Sequence, residues 1–177
     1  LSIGAYFFTT SFKSNQIQAA KEIYEDWQLA LDLDYSEQLF QKLTLDYSHT
    51  GYSHLALLKK GSDLAKEDNL EGSLKIFYQL KENSDGYFGN SLINGIARTN
   101  IARISIALGK FEDALVVLEK YSKDEDAYTH ELKGDALTGV GSNELALQQY
   151  QSALEKYADT GLRNLVELKI NNLNINE

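Results

Sequence analysis

One spacing of small and large residues occurs three times in this chain of 177 residues, and it limits the possible folds more than any other feature. In each copy a small residue is followed after twelve positions by a second small residue, and after four more by a large apolar one. The copies are Gly61, Ser73 and Phe77; Ala102, Ala114 and Leu118; and Gly134, Ala146 and Tyr150. Two antiparallel helices joined by a tight turn approach closely only where small residues meet. The spacing therefore predicts three helical hairpins, in which each large residue plugs the gap to the next hairpin.

Composition agrees with an all-helical fold. The chain contains no Pro, although average usage would give about nine, and Pro is the residue that helix interiors exclude. With 43% hydrophobic and 24% charged residues, the chain is able to bury a core. Apolar residues recurring every three or four positions predict further helices on either side of the hairpins. The predicted helices are about 17–31, 36–46, 52–66, 69–82, 91–108, 111–121, 127–140, 143–157 and 161–173.

The first eight residues differ from the rest because they are apolar and uncharged. They are too short to span a bilayer, which takes about 20 residues. Two interpretations stay open on composition. The segment is the end of a membrane helix, with Tyr6, Phe7 and Phe8 in the interfacial region that favours aromatic rings, or it is a strand or first helical turn packed on the domain.

The three copies resemble the tetratricopeptide repeat. That family has small residues at its eighth and twentieth positions and a large one at its twenty-fourth, and the turns 109–115 and 141–147 look most like the start of its second helix. The family's Trp and closing Pro are absent, and Ser73 replaces the usual Ala. The resemblance implies an all-α, right-handed α-solenoid in one domain over 9–177. Its hairpins are expected at about 52–82, 91–121 and 127–157, with a closing helix at 161–173.

A narrower resemblance covers nearly the whole chain. An apolar start, a long helix, the segment Leu-Asp-Tyr-Ser-His-Thr-Gly-Tyr at 45–52, three hairpins and a closing Leu-Lys-Ile-Asn-Asn-Leu at 168–173 occur in that order. This order is similar to the bacterial TPR-like family that includes the ancillary subunit of the SecYEG translocon. The resemblance implies an inner-membrane, single-pass protein, with an anchor upstream of Leu1 that ends in 1–8 and with this domain in the periplasm. Its implied partners are translocon subunits, chaperones or exported chains.

Three alternatives remain beside this export hypothesis. The first is a soluble envelope assembly factor with the same repeats and no anchor. The second is an enzyme with an unrecognised cleft, which a deep pocket holding two or more groups with shifted pKa values would reveal. The third is a homo-oligomer, because the helix from Asp159 onward is amphipathic enough either to cap the stack or to pair with a copy of itself.

The residue types argue against several other functions. A net charge of −9 disfavours nucleic acid, and the absence of Cys excludes disulfides and thiolate chemistry. His49, His54 and His130 lack metal-site spacing and are interpreted as solvent or cap histidines. Gly86 and Gly89 lack the Lys that a phosphate loop requires. The acidic run 124–126 is expected at a helix N-terminus, where it complements the dipole. We expect no cofactor, no metal and no catalysis.

Partner binding is instead expected on the first helix of each hairpin, where repeat proteins hold peptides or partner helices. The groove positions carried over from the repeat family are Leu58, Ser62, Lys66, Thr99, Arg103, Tyr128, Glu131, Asp135 and Thr138. Their mixed, slightly acidic character does not match a basic clamp for a C-terminal carboxylate. Tyr87 and Phe88 fit no helical stripe, so they either cover the gap left by a longer connection or form a further partner contact.

Overall fold

A computed structural model of the protein describes residues 3–86, 89–119 and 125–173, with side chains from residue 11 onward. Within these ranges the chain forms nine α-helices and no strand, which confirms the all-α prediction. The helices are α1 Ile3–Leu29, α2 Leu33–Asp46, α3 Gly51–Lys66, α4 Leu70–Asn83, α5 Ser91–Ala107, α6 Phe111–Glu119, α7 Ala127–Gly139, α8 Asn143–Lys156 and α9 Thr160–Asn171.

The connection between α1 and α2 differs from the prediction in two ways. The first helix was predicted to run to about residue 31, but α1 ends at Leu29 and Leu31 is 98% exposed. The second helix was predicted to begin at about residue 36, but Asp32 caps it, with its carboxylate accepting a hydrogen bond from the Tyr35 backbone N–H at 2.7 Å. Because Asp is a strong N-cap residue, α2 begins three residues earlier than predicted.

The helices group into two compact units, Leu1–Asn94 and Gly95–Glu177. The N-terminal unit holds α1 to α4 and the start of α5, and the C-terminal unit holds the rest of α5 and α6 to α9. A single repeat domain over 9–177 therefore stays a prediction.

Residues 3–8 belong to a continuous helix rather than a strand. Among the described helices, none has both the length and the apolar character needed to cross a bilayer. The upstream anchor stays a prediction.

All three hairpins share one turn geometry. The residue after each turn donates its backbone N–H to the carbonyl five positions earlier, which is the longer bond of a Schellman motif. These bonds are Asn69 to Leu64 at 2.9 Å, Lys110 to Ser105 at 2.8 Å and Ser142 to Leu137 at 2.8 Å. The preceding residue has positive φ in each case: Asp68 at 61°, Gly109 at 72° and Gly141 at 78°. These three residues are 41 and 32 positions apart, and so are Ser73, Ala114 and Ala146 of the small-residue pattern. The backbone therefore repeats with the same spacing as the sequence.

The large residue of the pattern packs inside its own hairpin. A Cβ on Gly61 would lie 3.0 Å from Cε2 of Phe77, and a Cβ on Gly134 would overlap the Tyr150 ring. Each of these rings therefore fills the space above the glycine of its own first helix, and Tyr150 also packs in a buried group with Val166 of α9, the next helix. Ser73, which replaces the usual Ala, donates its hydroxyl to the Gly61 carbonyl at 2.7 Å. Its polar atom is thus paired although it is buried.

Candidate functional site

The first of the predicted groove positions lie on α3 in the N-terminal unit. Leu58, Ser62 and Lys66 recur every four residues, so they share one face of the helix. Leu58 and Ser62 are half-buried and Lys66 is exposed. The Lys66 ammonium lies 3.2 Å from Asp63 Oδ1. This face therefore offers an apolar side chain, a hydroxyl and a lysine whose charge is partly matched within the helix.

On α5, in the C-terminal unit, Thr99 and Arg103 form the next pair. The Thr99 hydroxyl donates to the carbonyls of Gly95 and Ile96 in its own helix, at 3.2 and 3.1 Å. Arg103 is exposed and its Nη2 donates to Asn100 Oδ1 at 2.8 Å. The guanidinium has further N–H donors beyond this bond. Arg103 is thus the stronger candidate of the two for contacting a partner.

Four predicted positions lie on α7, and they fall into two groups. Tyr128 and Thr138 are exposed, whereas Glu131 and Asp135 are half-buried. Lys169 of α9 holds both carboxylates: its Nζ lies 2.7 Å from Glu131 Oε1 and 2.7 Å from both oxygens of Asp135. The structure therefore gives Glu131 and Asp135 an intramolecular partner, and their binding of another protein stays a prediction.

Two tyrosines of the α8 region complete this arrangement, which we call the Lys169 cluster and define as Glu131, Asp135, Tyr150, Tyr157 and Lys169. The Tyr150 hydroxyl donates to Asp135 Oδ1 at 2.8 Å, and the Tyr157 hydroxyl donates to Glu131 Oε2 at 2.6 Å. Each carboxylate thus receives one phenol and the shared ammonium. Hydrogen bonds to charged groups are stronger than neutral ones, so the cluster fixes α7, α8 and α9 together.

The electrostatics of the cluster agree with its geometry. Burial alone would lower the pKa of Lys169, but the hydrogen bonds and negative charge of Asp135 and Glu131 outweigh it and raise that pKa. Burial also raises the pKa of the Tyr150 phenol, with a further contribution from Asp135. Burial and the hydrogen bond to Glu131 raise the pKa of the Tyr157 phenol in the same way. At neutral pH the lysine is charged and both phenols are protonated, which are the states that the hydrogen bonds require.

Local sequence positions the cluster. Asp126 caps α7 by accepting from the Thr129 N–H at 2.7 Å, and Asp159 caps α9 by accepting from the Leu162 N–H at 2.9 Å. Val166 anchors α9 in a buried group with Ala146, Tyr150 and Ala153. Lys169 follows Val166 by three residues, nearly one helical turn, so burying Val166 brings the lysine over α7. The expected helix-start role of the acidic run is confirmed for Asp126.

The helix α9 was expected either to cap the stack or to pair with a copy of itself. In the structure it caps the C-terminal unit with one face. Leu162, Leu165 and Leu168 of the same helix are exposed, at 42%, 55% and 57%. Self-pairing through these leucines stays a prediction.

Sequence reasoning missed Lys169 as a site residue. The available signal was a lysine within the apolar face of α9, opposite a helix that carries Glu131 and Asp135 four residues apart. Tyr157 is half-buried against Glu131. Tyr87 and Phe88, the predicted loop contacts, lie outside the described residues.

A cleft of about 230 Å³ lies in the N-terminal unit, among α1, α2 and α3. It contains Lys59 and Asp63, which form an ion pair of 2.6 Å and are 51% and 38% exposed. The hydrogen bond between them raises the pKa of Lys59 and lowers that of Asp63. Both shifts favour the charged forms, whereas an acid or base for catalysis needs a pKa near the working pH. The cleft supplies no argument for the enzyme alternative.

Of the two roles expected for His54, solvent or cap, the structure supports the cap: the side chain bonds the last carbonyl of α4 and is not in solvent. The side chain is 5% exposed, and its Nε2 lies 3.3 Å from the Asn83 carbonyl at the end of α4. Burial lowers the pKa of His54, so it is neutral at pH 7. His130 Nδ1 lies 2.8 Å from Gln149 Oε1. No group of three or more potential metal ligands occurs among the described residues.

The protein is a helical-repeat protein. Its hairpins share one turn geometry, and their first helices carry outward side chains. More specifically, the chain belongs to the tetratricopeptide repeat-like domain family, whose model matches residues 2–175. No curated protein and no solved structure matches it. Domains of this family generally act as protein–protein interaction scaffolds and are typically non-catalytic.

Proposed function

We propose that this chain is a scaffold that holds protein partners on the first helices of its hairpins. The observation that carries the proposal is a repeat-family match over nearly the whole chain, combined with exposed side chains at the family's groove positions. In the C-terminal unit these side chains are Arg103, Tyr128 and Thr138. Arg and Tyr are enriched in protein interfaces because each joins apolar area to polar atoms.

The Lys169 cluster has a supporting role in this proposal. It occupies Glu131 and Asp135 and fixes the helix that presents Tyr128 and Thr138. A surface that is already ordered loses less conformational entropy when a partner binds. We therefore assign the contact to the exposed residues and the preorganisation to the cluster.

The finer part of the proposal is a role in protein export. We propose that the chain works on the periplasmic side of a bacterial inner membrane, as part of a single-pass protein whose partners are translocon subunits, chaperones or exported chains. Its support is the order of segments from the apolar start to 168–173, which resembles the family of the ancillary translocon subunit.

Site-specific photocrosslinking in the protein's own cells tests both parts. A photoreactive residue replaces Arg103 or Tyr128 in the full-length protein, and adducts are identified by mass spectrometry. Glu155, exposed on the second helix α8, provides the matched control position. We expect adducts with translocon subunits, chaperones or exported chains at positions 103 and 128, and a much lower yield at 155.

Two other results would contradict parts of the proposal. Adducts with unrelated proteins at 103 and 128 would keep the scaffold and overturn the export role. Self-adducts alone, or equal yields at all three positions, would overturn binding on the first-helix face.

A further inference from the structure

The turn between α1 and α2 exposes an unusual amount of apolar surface. Leu29, Leu31, Leu33 and Tyr35 alternate along seven residues and are 78%, 98%, 84% and 50% exposed. Single exposed leucines are common on soluble proteins, but contiguous exposed apolar side chains mark interaction sites. We call these four residues the leucine turn.

The leucine turn is held by ordered structure on both sides. Asp32 caps α2, and the Trp27 ring at the end of α1 lies 5.7 Å from the Phe40 ring of α2. The Tyr24 ring contacts both Trp27 and Tyr52, at 5.8 and 5.6 Å between centroids. Because the flanking helices are locked together, a partner that covers the leucines has little chain to order.

Charge around the leucine turn selects its partner. The segment 22–41 contains six acidic residues and no Lys or Arg, and all six are exposed: Glu22, Glu25, Asp26, Asp32, Asp34 and Glu37. Lys21 and Lys60, from outside the segment, lie 3.7 and 3.9 Å from Glu25 and Glu37. Two cations against six carboxylates leave an excess of negative charge around the exposed leucines.

The cleft described above opens beside this turn. Its lining includes Trp27, Gln28 and Ser36, which lie close to the leucine turn in sequence. The rest of the lining is mostly charged and consists of Lys59, Lys60, Asp63, Leu64 and Glu67. A volume of about 230 Å³ accommodates a large side chain. A polar side chain of the partner can therefore enter next to the leucines.

We propose that the leucine turn docks a partner protein segment that carries Leu-like side chains on one face and Lys or Arg beside them. Apolar contact supplies affinity, and the acidic surroundings supply attraction and specificity. An anionic lipid surface would be repelled by the same carboxylates. A second copy of this chain would place six acidic residues against six. None of the four residues of the leucine turn is a groove position of the proposed scaffold, so either site can fail without the other.

Binding of model peptides to the full chain tests the proposal. The first probe is a synthetic amphipathic helix with Leu on one face and Lys on the other, and the second replaces every Lys by Glu. Trp27 is the only tryptophan, so its emission reports an event at the turn directly. We expect the Lys peptide to bind, to change Trp27 emission and to weaken as salt is raised, and the Glu peptide to bind at least about tenfold more weakly.

Two matched pairs of surface variants locate the site. Leu31→Ser is compared with Leu145→Ser, an exposed leucine of α8, and Asp34→Lys with Glu155→Lys, which changes the net charge equally. We expect Leu31→Ser and Asp34→Lys each to weaken the Lys peptide about tenfold while their controls leave it unchanged. Equal effects within each pair, no binding of the Lys peptide, or tighter binding to anionic vesicles than to the peptide would overturn the proposal. Because these positions are exposed, unchanged far-UV circular dichroism is expected for all four variants.

Discussion

In the first and third hairpins an aromatic ring packs on a glycine, and the two rings differ by one hydroxyl. In α3–α4 the ring of Phe77 lies on Gly61, and in α7–α8 the ring of Tyr150 lies on Gly134. Both rings are buried, at 0% and 2% exposure. Phe77 has no polar side-chain atom, whereas the Tyr150 hydroxyl reaches Asp135 and through it Lys169. The same repeat position thus closes the core in one unit and links the core to a polar cluster in the other.

The first helices of these two hairpins, α3 and α7, also differ in how exposed their ion pairs are. Lys59 and Asp63 of α3 pair across a helical turn and are 51% and 38% exposed. Lys169 is 33% exposed and pairs with carboxylates that are 14% and 22% exposed on another helix. Exposed pairs within a helix contribute little, whereas partly buried pairs between helices cost more to break. The repeat therefore specifies packing, and the residues outside its pattern specify how each unit is tied together.

The largest effect is expected from removing either ring. Phe77→Ala and Tyr150→Ala each leave a cavity over a glycine, so each should reduce the free energy of unfolding by about 3–5 kcal/mol. Urea denaturation followed by circular dichroism measures both. A loss below about 1 kcal/mol for either variant would show that its ring does not fill the hairpin core.

A smaller effect separates the two lysines. Lys169→Met leaves Glu131 and Asp135 close together without their cation, so we expect a loss of about 1–3 kcal/mol after allowing for partial solvent exposure. Lys59→Met, the matched variant on α3, should cost no more than about 0.5 kcal/mol. The comparison would fail if the two losses, measured by the same denaturation, were equal.

The smallest effect is expected from pH, and it has opposite signs in the two units. Burial lowers the folded-state pKa of His54 below its ordinary 6.5. Its contribution to stability is therefore complete above pH 6.5 and is lost as pH falls through the lowered pKa. Trp27 emission during urea unfolding reports this loss in the N-terminal unit. The variant His54→Gln should remove the acid-side decline, and an unchanged decline would assign it to other groups.

The C-terminal unit should lose stability on the alkaline side. The folded-state pKa of Lys169 is raised above 10.5 and those of Tyr150 and Tyr157 above 10.0. Their contributions are complete below about pH 10 and are lost as pH rises through the raised values. Denaturation of Lys169→Met should show a weaker alkaline decline than that of the unchanged chain.

The helices and the repeat could be predicted from the sequence because both depend on local spacing. Gly61, Ser73 and Phe77 are close along the chain, and their pattern alone indicates a hairpin. The α1–α2 turn was harder to predict from the sequence. The apolar spacing of the first helix continues to Leu31, but Asp32 caps the second helix and α1 ends before Leu31. A carboxylate that satisfies the backbone N–H of Tyr35 outweighed the burial of one more leucine.

The Lys169 cluster could not be predicted from the sequence, for a physical reason. Lys169 lies 34 residues from Asp135 and 38 from Glu131, and no short-range pattern predicts which turn of α9 faces α7. The groove positions themselves came from the repeat resemblance, and the structure adds which of them already have partners within the chain.

The most direct test of this account is a double-mutant cycle on the shared carboxylate. Tyr150→Phe and Lys169→Met each remove one donor to Asp135, so their effects on the free energy of unfolding should be non-additive by about 0.5–1.5 kcal/mol. The control cycle pairs Tyr150→Phe with Lys59→Met, which share no carboxylate, and should be additive to within about 0.3 kcal/mol. Coupling in the first cycle alone would confirm that the Tyr150 hydroxyl ties the hairpin core to α9. Additivity in both cycles would contradict it.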